Sequence, residues 1–421
     1  MKLKRLVYQQ LLDWKKESNG KRALLIEGAR RVGKSYIAEQ FAQNEYKSYI
    51  LIDFANVSKD VLTIFEEDGS NLDLFFTKLS FVFSKKLYNR ETLFIFDEIQ
   101  LFPKARQLIK YLVADGKYDY IETGSLISLK QNVKNILIPS EEECIQMYPL
   151  DFEEFLWAIG EKTKIPYIRT CFEQRAPLGQ AAHRMMMNAF RQYLLVGGMP
   201  QAVITYVKTK DFALCDKVKR TILKLYRDDV TKFAKGYESK VLSIFDEIPS
   251  QLSKHEKKFT LASLQKNARL RTYEDAFMWL SEAMIVNTCY NSTDPCIGLN
   301  LNRDRLTLKC YMGDTGLLVS HTIDENNVLN NDIYKALLLD RLSINEGMFL
   351  ENYVAQALKF RNHKLYFYSK NGDESNDKIE IDFLVVKNQK VCPIEVKSSN
   401  YKTHKSIDKL KAKGKKKIGQ S

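Results

Sequence analysis

Short continuous apolar runs punctuate the early part of the chain: ALLIEG (23–28), YKSYILID (46–53), TLFIFDE (92–98) and YDYIETGS (118–125). Helical patterns such as SYIAEQFA (35–42) and ARQLIKYL (105–112) separate them. Strands buried on both faces, with helices between them, predict a parallel α/β sheet. Ahead of the first run, Leu3, Leu6, Val7, Leu11 and Trp14 fall near helical spacing, which predicts a helix within residues 1–18.

The pattern then changes. From about 150 to 235 it is helical, through LDFEEFLWAIG (150–160), RMMMNAFRQYLLVGGMP (184–200) and DKVKRTILKLYRDDVTKF (216–233). These segments predict a helical lid over 151–238, after a core at 1–150. VLSIFDEIPSQLS (241–253), LASLQKNARL (261–270) and RTYEDAFMWLSEAMIV (271–286) read as helices, and LTLKCYMGD (306–314) as a strand. Helices followed by a short β element predict a winged-helix-like domain over 239–325. A loop containing NNVLNND (326–332) leads to a last α/β domain at 340–421, with a helix at EGMFLENYVAQALKF and strands at KLYFYS, IEIDFLVV and VCPIEVK.

Composition adjusts this picture in three places. The net charge is +13, yet residues 397–421 hold nine Lys against one Asp, a net +8 that leaves +5 for everything before them. A solvated basic tail offers nonspecific attraction to phosphate, not a DNA-binding groove. The seven cysteines form no CxxC pair and are odd in number, which points away from a zinc ribbon or a disulfide framework. No apolar run approaches the roughly 18–20 residues of a spanning helix and no leader-like apolar segment opens the chain, so a cytoplasmic protein is expected.

Candidate chemistry begins at GARRVGKS (28–35), which fits the phosphate-loop pattern GxxxxGK[ST] at every fixed position. A strand precedes it and a helix follows, the context the motif needs. Gly28 and Gly33 allow the tight turn. The backbone N–H groups of Gly28, Ala29, Arg30, Arg31, Val32 and Gly33, with the helix N-terminus, would face phosphates. Lys34 would reach the β- and γ-phosphates of ATP, and Ser35 would ligate Mg²⁺. LFIFDEIQ (93–100) supplies a second signal, an apolar strand ending in two carboxylates. Asp97 would organise Mg²⁺ and Glu98 would polarise the attacking water. Thr123 and Ser125, at the end of the next strand, would sense the γ-phosphate or simply form a turn.

The DE pair and the polar strand end resemble the AAA superfamily of ATPases; no NKxD base-reading motif stands in a fitting position. The order of motifs is similar to that of a prokaryotic AAA group joining this core to a C-terminal domain of unknown function. GARRVGKS, LFIFDEIQ, IETGS, LDFEEFL, GGMPQAV (197–203), KCYMGDTGLL (309–318) and EGMFLENYVAQAL (346–358) carry the likeness, nearly end to end. It implies a P-loop AAA-type parallel sheet core with a helical lid, a winged-helix-like middle and an α/β restriction-endonuclease-like C-terminal domain. It implies ATP hydrolysis with Mg²⁺, coupled to rearrangement of modules that hold DNA or a protein partner. Arg220 and Arg227 are among several arginines open to a finger role.

IEIDFLVVKNQKVCPIEVKSS (379–399) raises a separate possibility. If Asn388 and Gln389 form a two-residue hairpin loop, Lys387 faces Lys390, Asp382 lies opposite Glu395, and Lys397 shares the face of Glu395. Two facing carboxylates invite a divalent cation. The resemblance puts Glu351, Asp382, Glu395 and Lys397 at nuclease-like positions. That leaves three readings of the last domain open: a metal-dependent DNA nuclease regulated by ATP, an inactive nuclease-like fold in a slow nucleotide-dependent switch, or an ordinary polar hairpin with Lys397 paired to Glu380. Pro393 confines its strand to a sheet edge. A nuclease-like domain should continue past IEVKSS with further elements, so the lysine-rich end reads as a truncated stub. Lys266, Arg269, Arg271 and Tyr273 offer a basic and aromatic surface for DNA contact, or an ordinary solvated helix face.

Overall fold

The computed structural model describes residues 2–124, 140–254, 256–264, 269–323, 346–370, 379–397 and 405–413. Ser125 and Lys266 lie outside the described residues. The chain divides into two compact units, Met1–Tyr148 and Pro149–Ser421.

The first unit is built on a five-stranded sheet of β1 (Ala23–Gly28), β2 (Ser48–Asp53), β3 (Thr92–Asp97), β4 (Asp119–Gly124) and β5 (Glu142–Met147). All neighbours are parallel, in the order β2-β3-β4-β1-β5. Every residue of β3 and β4 is buried, which is why their sequences read as apolar runs rather than alternations. Helices α1 (Val7–Ser18), α2 (Lys34–Glu45), α3 (Lys59–Glu67), α4 (Leu72–Val82) and α5 (Pro103–Asp115) accompany the sheet. An aromatic-rich core of Phe54, Phe65, Phe75, Phe76, Phe94, Phe96 and Tyr120 fills one side. α5 starts with Pro103 and stops at Gly116, whose φ of 70° ends the helix in the left-handed region. β5 escapes the sequence reading because EECIQM is half polar, as an edge strand can be.

The second unit opens on helices Phe152–Ala158, Lys164–Glu173, Gln180–Val196, Pro200–Thr209 and Phe212–Phe233, followed by Glu238–Ser253. LASLQKNARL (261–270), expected to be helical, shows a 3₁₀ turn at Leu261–Ser263, and a second, Leu270–Thr272, begins at its last residue. A second five-stranded sheet joins β6 (Val286–Ser292), β7 (Arg303–Met312), β8 (Leu365–Lys370), β9 (Ile379–Lys387) and β10 (Lys390–Ile394) in the order β10-β9-β8-β6-β7. LTLKCYMGD, expected as the short β element of a winged-helix-like domain, instead pairs with β6 and shares one sheet with the C-terminal strands. β6 pairs with β7 on one side and, parallel, with β8 on the other, so its backbone groups are satisfied across the expected boundary. The lysine-rich end is not merely solvated: the helix Lys405–Lys413 buries Leu410 against Ile379, Ile381 and Val391 of the sheet.

Motifs that marked the family resemblance meet in this unit as a hydrogen-bonded knot. Asp314 accepts Gly198 N–H at 2.6 Å and Leu317 N–H at 2.9 Å. Gln356 accepts Thr315 N–H at 2.9 Å and donates to the Tyr193 hydroxyl, which donates to Leu150 O. Asn352 accepts Met312 N–H at 2.8 Å. Buried Lys219 donates to Leu195 O and Gly316 O at 2.6 and 3.1 Å. Gly197 and Gly316 touch backbone to backbone: a Cβ on Gly316 would lie 2.4 Å from Gly197 Cα. These motifs do packing work, which is sufficient reason for their residue types.

Candidate functional site

β1 delivers its chain into the phosphate loop beside β5, and a Cβ at Gly28 would lie 2.4 Å from Met147 O. Only glycine lets the two backbones come this close. The loop turns through positive φ at Arg31 (71°) and Gly33 (95°), then α2 begins at Lys34. Lys34 is buried, and its ammonium donates to Gly28 O and Ala29 O, each at 3.1 Å. Arg30 and Arg31 are exposed, whereas Ala29 and Val32 are buried and anchor the loop. Arg5, a residue the sequence reading passed over, reaches in from before α1: its guanidinium donates to Val32 O at 3.1 Å and Tyr148 O at 2.6 Å. No local motif announces this role, because its partners are 27 and 143 residues away.

The strand order places β4 between β1 and β3, so three strand ends converge. Ser35 Oγ donates to Asp97 Oδ1 at 2.7 Å, and the Thr123 hydroxyl donates to the same oxygen. A hydroxyl and a carboxylate held together beside a phosphate loop form the donor set that suits Mg²⁺ in P-loop sites, so these residues fit that ion. Glu98 follows with φ 53° and ψ 45°, a left-handed conformation that costs a non-glycine residue roughly 1–3 kcal/mol. That bend turns the chain sharply out of β3. Gln100, buried and not singled out from sequence, donates its side-chain N–H to Glu98 Oε2.

In the second unit the hairpin register is the one expected: Lys390 faces Lys387 and Ile394 faces Phe383, around Asn388 and Gln389 with φ of 49° and 60°. Both turn residues in the left-handed region make a type I′ turn without glycine. β10, with Pro393, is an edge strand. The ladder stops there, and Asp382 Oδ2 accepts the Val396 N–H at 2.8 Å. Lys397 is exposed and lies 3.5 Å from Glu395, while Glu380 lies 3.4 Å from Lys309.

Glu351 and Asp382 do come together, but around a lysine. Lys309 Nζ lies 3.2 Å from Glu351, 3.4 Å from Glu380 and 3.5 Å from Asp382. Glu351 also accepts the Tyr311 hydroxyl and pairs with Lys257. Burial pushes the Glu351 carboxyl up, yet Lys309 and Lys257 outweigh it and hold it below its ordinary value. Burial raises Asp382, with the Glu351 charge adding to it, against the pull of Lys309. Burial works against the Lys309 charge, and Glu351, Asp382 and Glu380 more than restore it, so its pKa is raised. Among the described residues no group of three or more His, Cys, Asp or Glu is arranged to hold a metal ion. The expected divalent-metal set of Glu351, Asp382 and Glu395 with Lys397 does not fit this geometry.

Residues 20–156 match the model of an AAA domain. The first unit is thus supported as a P-loop ATP-binding domain of the AAA type. Residues 187–327 and 346–420 match two further models, each described as a domain of unknown function (DUF8612 and DUF4143). No curated protein matches the chain. Among solved structures, domain III of the Thermotoga maritima replication initiation protein DnaA is 16% identical, covering 42% of this chain and 71% of that one with a TM-score of 0.23. The Aeropyrum pernix ORC1 protein in complex with DNA is 12% identical, covering 80% and 95%, TM-score 0.26. Drosophila ORC bound to DNA is 12% identical, covering 75% and 94%, TM-score 0.32.

Other candidate positions are already engaged. Arg220 pairs with Asp216 at 2.6 Å and donates to Ile323 O, and Arg227 pairs with Asp246. Of the residues offered for DNA contact, Arg269 and Arg271 are exposed, but Tyr273 is buried and belongs to the core. No described helix is long and apolar enough to cross a membrane.

Proposed function

We propose that the chain binds ATP with Mg²⁺, hydrolyses it, and uses the cycle to rearrange C-terminal modules that hold DNA or a protein partner. The observation that carries this reading is the convergence of Lys34, Ser35, Asp97 and Thr123 at the ends of three parallel strands. The loop N–H groups and Lys34 bind the phosphates. Ser35 and Asp97 hold the ion, which neutralises phosphate charge when bound. Thr123 fixes the Asp97 carboxylate, and Glu98 orients water and accepts its proton. Exchanging Glu98 for Gln keeps the shape and removes the base. Steady-state turnover by Glu98→Gln is expected to fall by about 10²–10⁴-fold with ATP affinity retained. Equal turnover in parent and variant would remove Glu98 from the reaction.

A slower, switch-like cycle is favoured by one contact, the hydrogen bond from Gln100 to Glu98. A carboxylate held by a neighbouring amide is less available to water. One hydrogen bond of about 1 kcal/mol corresponds to roughly a fivefold rate effect. Gln100→Ala is therefore expected to raise kcat about fivefold with KM little changed. A fall in kcat in a folded variant would show instead that Gln100 supports the active orientation.

A further inference from the structure

We propose that the carboxylate centre of the second unit is closed by the Lys309 ammonium in place of a divalent cation. Glu351, Glu380 and Asp382 then form a metal-free anchor joining β7, β9 and the helix Glu346–Phe360, and this centre does not cut nucleic acid. The inference stands apart from the ATPase reading, since it involves no residue of the phosphate loop.

An ammonium has three donors, and Lys309 has one carboxylate oxygen from each of three residues within 3.5 Å. Two of the three carboxylates, Glu351 and Asp382, are equally committed. Glu351 Oε1 meets Lys309 and Tyr311, while Oε2 meets Lys257. Asp382 Oδ1 meets Lys309, while Oδ2 accepts the Val396 N–H. Both oxygens of both acids therefore already have protein partners. A Mg²⁺ or Mn²⁺ ion needs oxygens free to approach to about 2.0–2.2 Å. It would have to expel a lysine whose side chain is 1% exposed and strand its charge in the interior. Lys309 also lies 5.2 Å from the Phe367 ring centre, a contact that favours an ammonium further. Its place in KCYMGDTGLL, a motif the nucleotide chemistry leaves unused, is accounted for in this way.

The test is Mn²⁺ titration of the full chain without nucleotide, followed by electron paramagnetic resonance. Parent and Asp382→Asn should bind Mn²⁺ alike, with no ion lost on removing the carboxylate charge. Lys309→Met should gain one Mn²⁺ held at least tenfold more tightly than any in the parent, and Lys309→Met/Asp382→Asn should lose it again. An ion in the parent that Asp382→Asn abolishes would overturn the proposal. So would a folded Lys309→Met chain that gains none. If Lys309→Met does not fold, the parent and Asp382→Asn comparison still decides. As a second readout, Mn²⁺-dependent nicking of supercoiled DNA by the parent that vanishes in Asp382→Asn would also overturn it.

Discussion

Lys34→Ala is expected to lower ATP turnover by about 10²–10³-fold or more and to weaken ATP binding in parallel. The ammonium sits buried within the loop, 3.1 Å from two of its own carbonyls, and is the charge that the β- and γ-phosphates would meet. Alanine removes that charge and leaves Gly28 O and Ala29 O without this donor. Turnover and isothermal titration on the same preparations separate the two effects. A variant that binds and hydrolyses like the parent would place the reaction elsewhere in the chain.

The second large effect is structural. Gly316→Ala is expected to destabilise the second unit by about 3 kcal/mol or more. The new Cβ would lie 2.4, 2.5 and 2.6 Å from Gly197 Cα, Gly197 N and Val196 O, all backbone atoms that cannot rotate away. Gly160→Ala is the control. Gly160 has φ 91° but nothing within 4 Å of a built Cβ, so only its conformation resists, at a cost of roughly 1–2 kcal/mol. Chemical denaturation followed by circular dichroism should rank Gly316→Ala well below Gly160→Ala. The reverse order would mean that the packing of GGMP against GDTG contributes little to stability.

What could be read from sequence followed the range of each interaction. The P-loop strand, helix and DE pair are local patterns, and Ala23–Gly28, Lys34–Glu45 and Thr92–Asp97 stand where the periodicity put them. The β9–β10 register was legible because a two-residue turn fixes every later pairing. Lys309 was not legible as a partner of Asp382, since 73 residues separate them and a lysine in an apolar strand gives no hint of three acids around it. The shared second sheet was hidden for a similar reason: β6 and β8 pair in parallel across a long sequence gap, which leaves no hairpin signature. Leu410 and Ile407 carry a short apolar face inside KSIDKLKAK, masked by the lysines around them. Arg5 and Gln100 entered only through contacts.

The saturation of Glu351 and Asp382 and the convergence at Asp97 assign opposite characters to the two acidic centres. At Asp97 two hydroxyls converge on a single carboxylate oxygen beside a loop suited to phosphate. At Glu351 the cation is already part of the chain. Metal dependence should therefore belong to the first unit and not the second.

Calorimetric titration of ATP into the parent chain, with and without Mg²⁺, repeated on Lys34→Ala, decides whether the phosphate loop is a nucleotide site. One nucleotide per chain is expected, bound at least ~10-fold more weakly without Mg²⁺ and lost or strongly weakened in the variant. Absence of ATP binding by the parent, or binding indifferent to both Mg²⁺ and Lys34, would contradict that assignment.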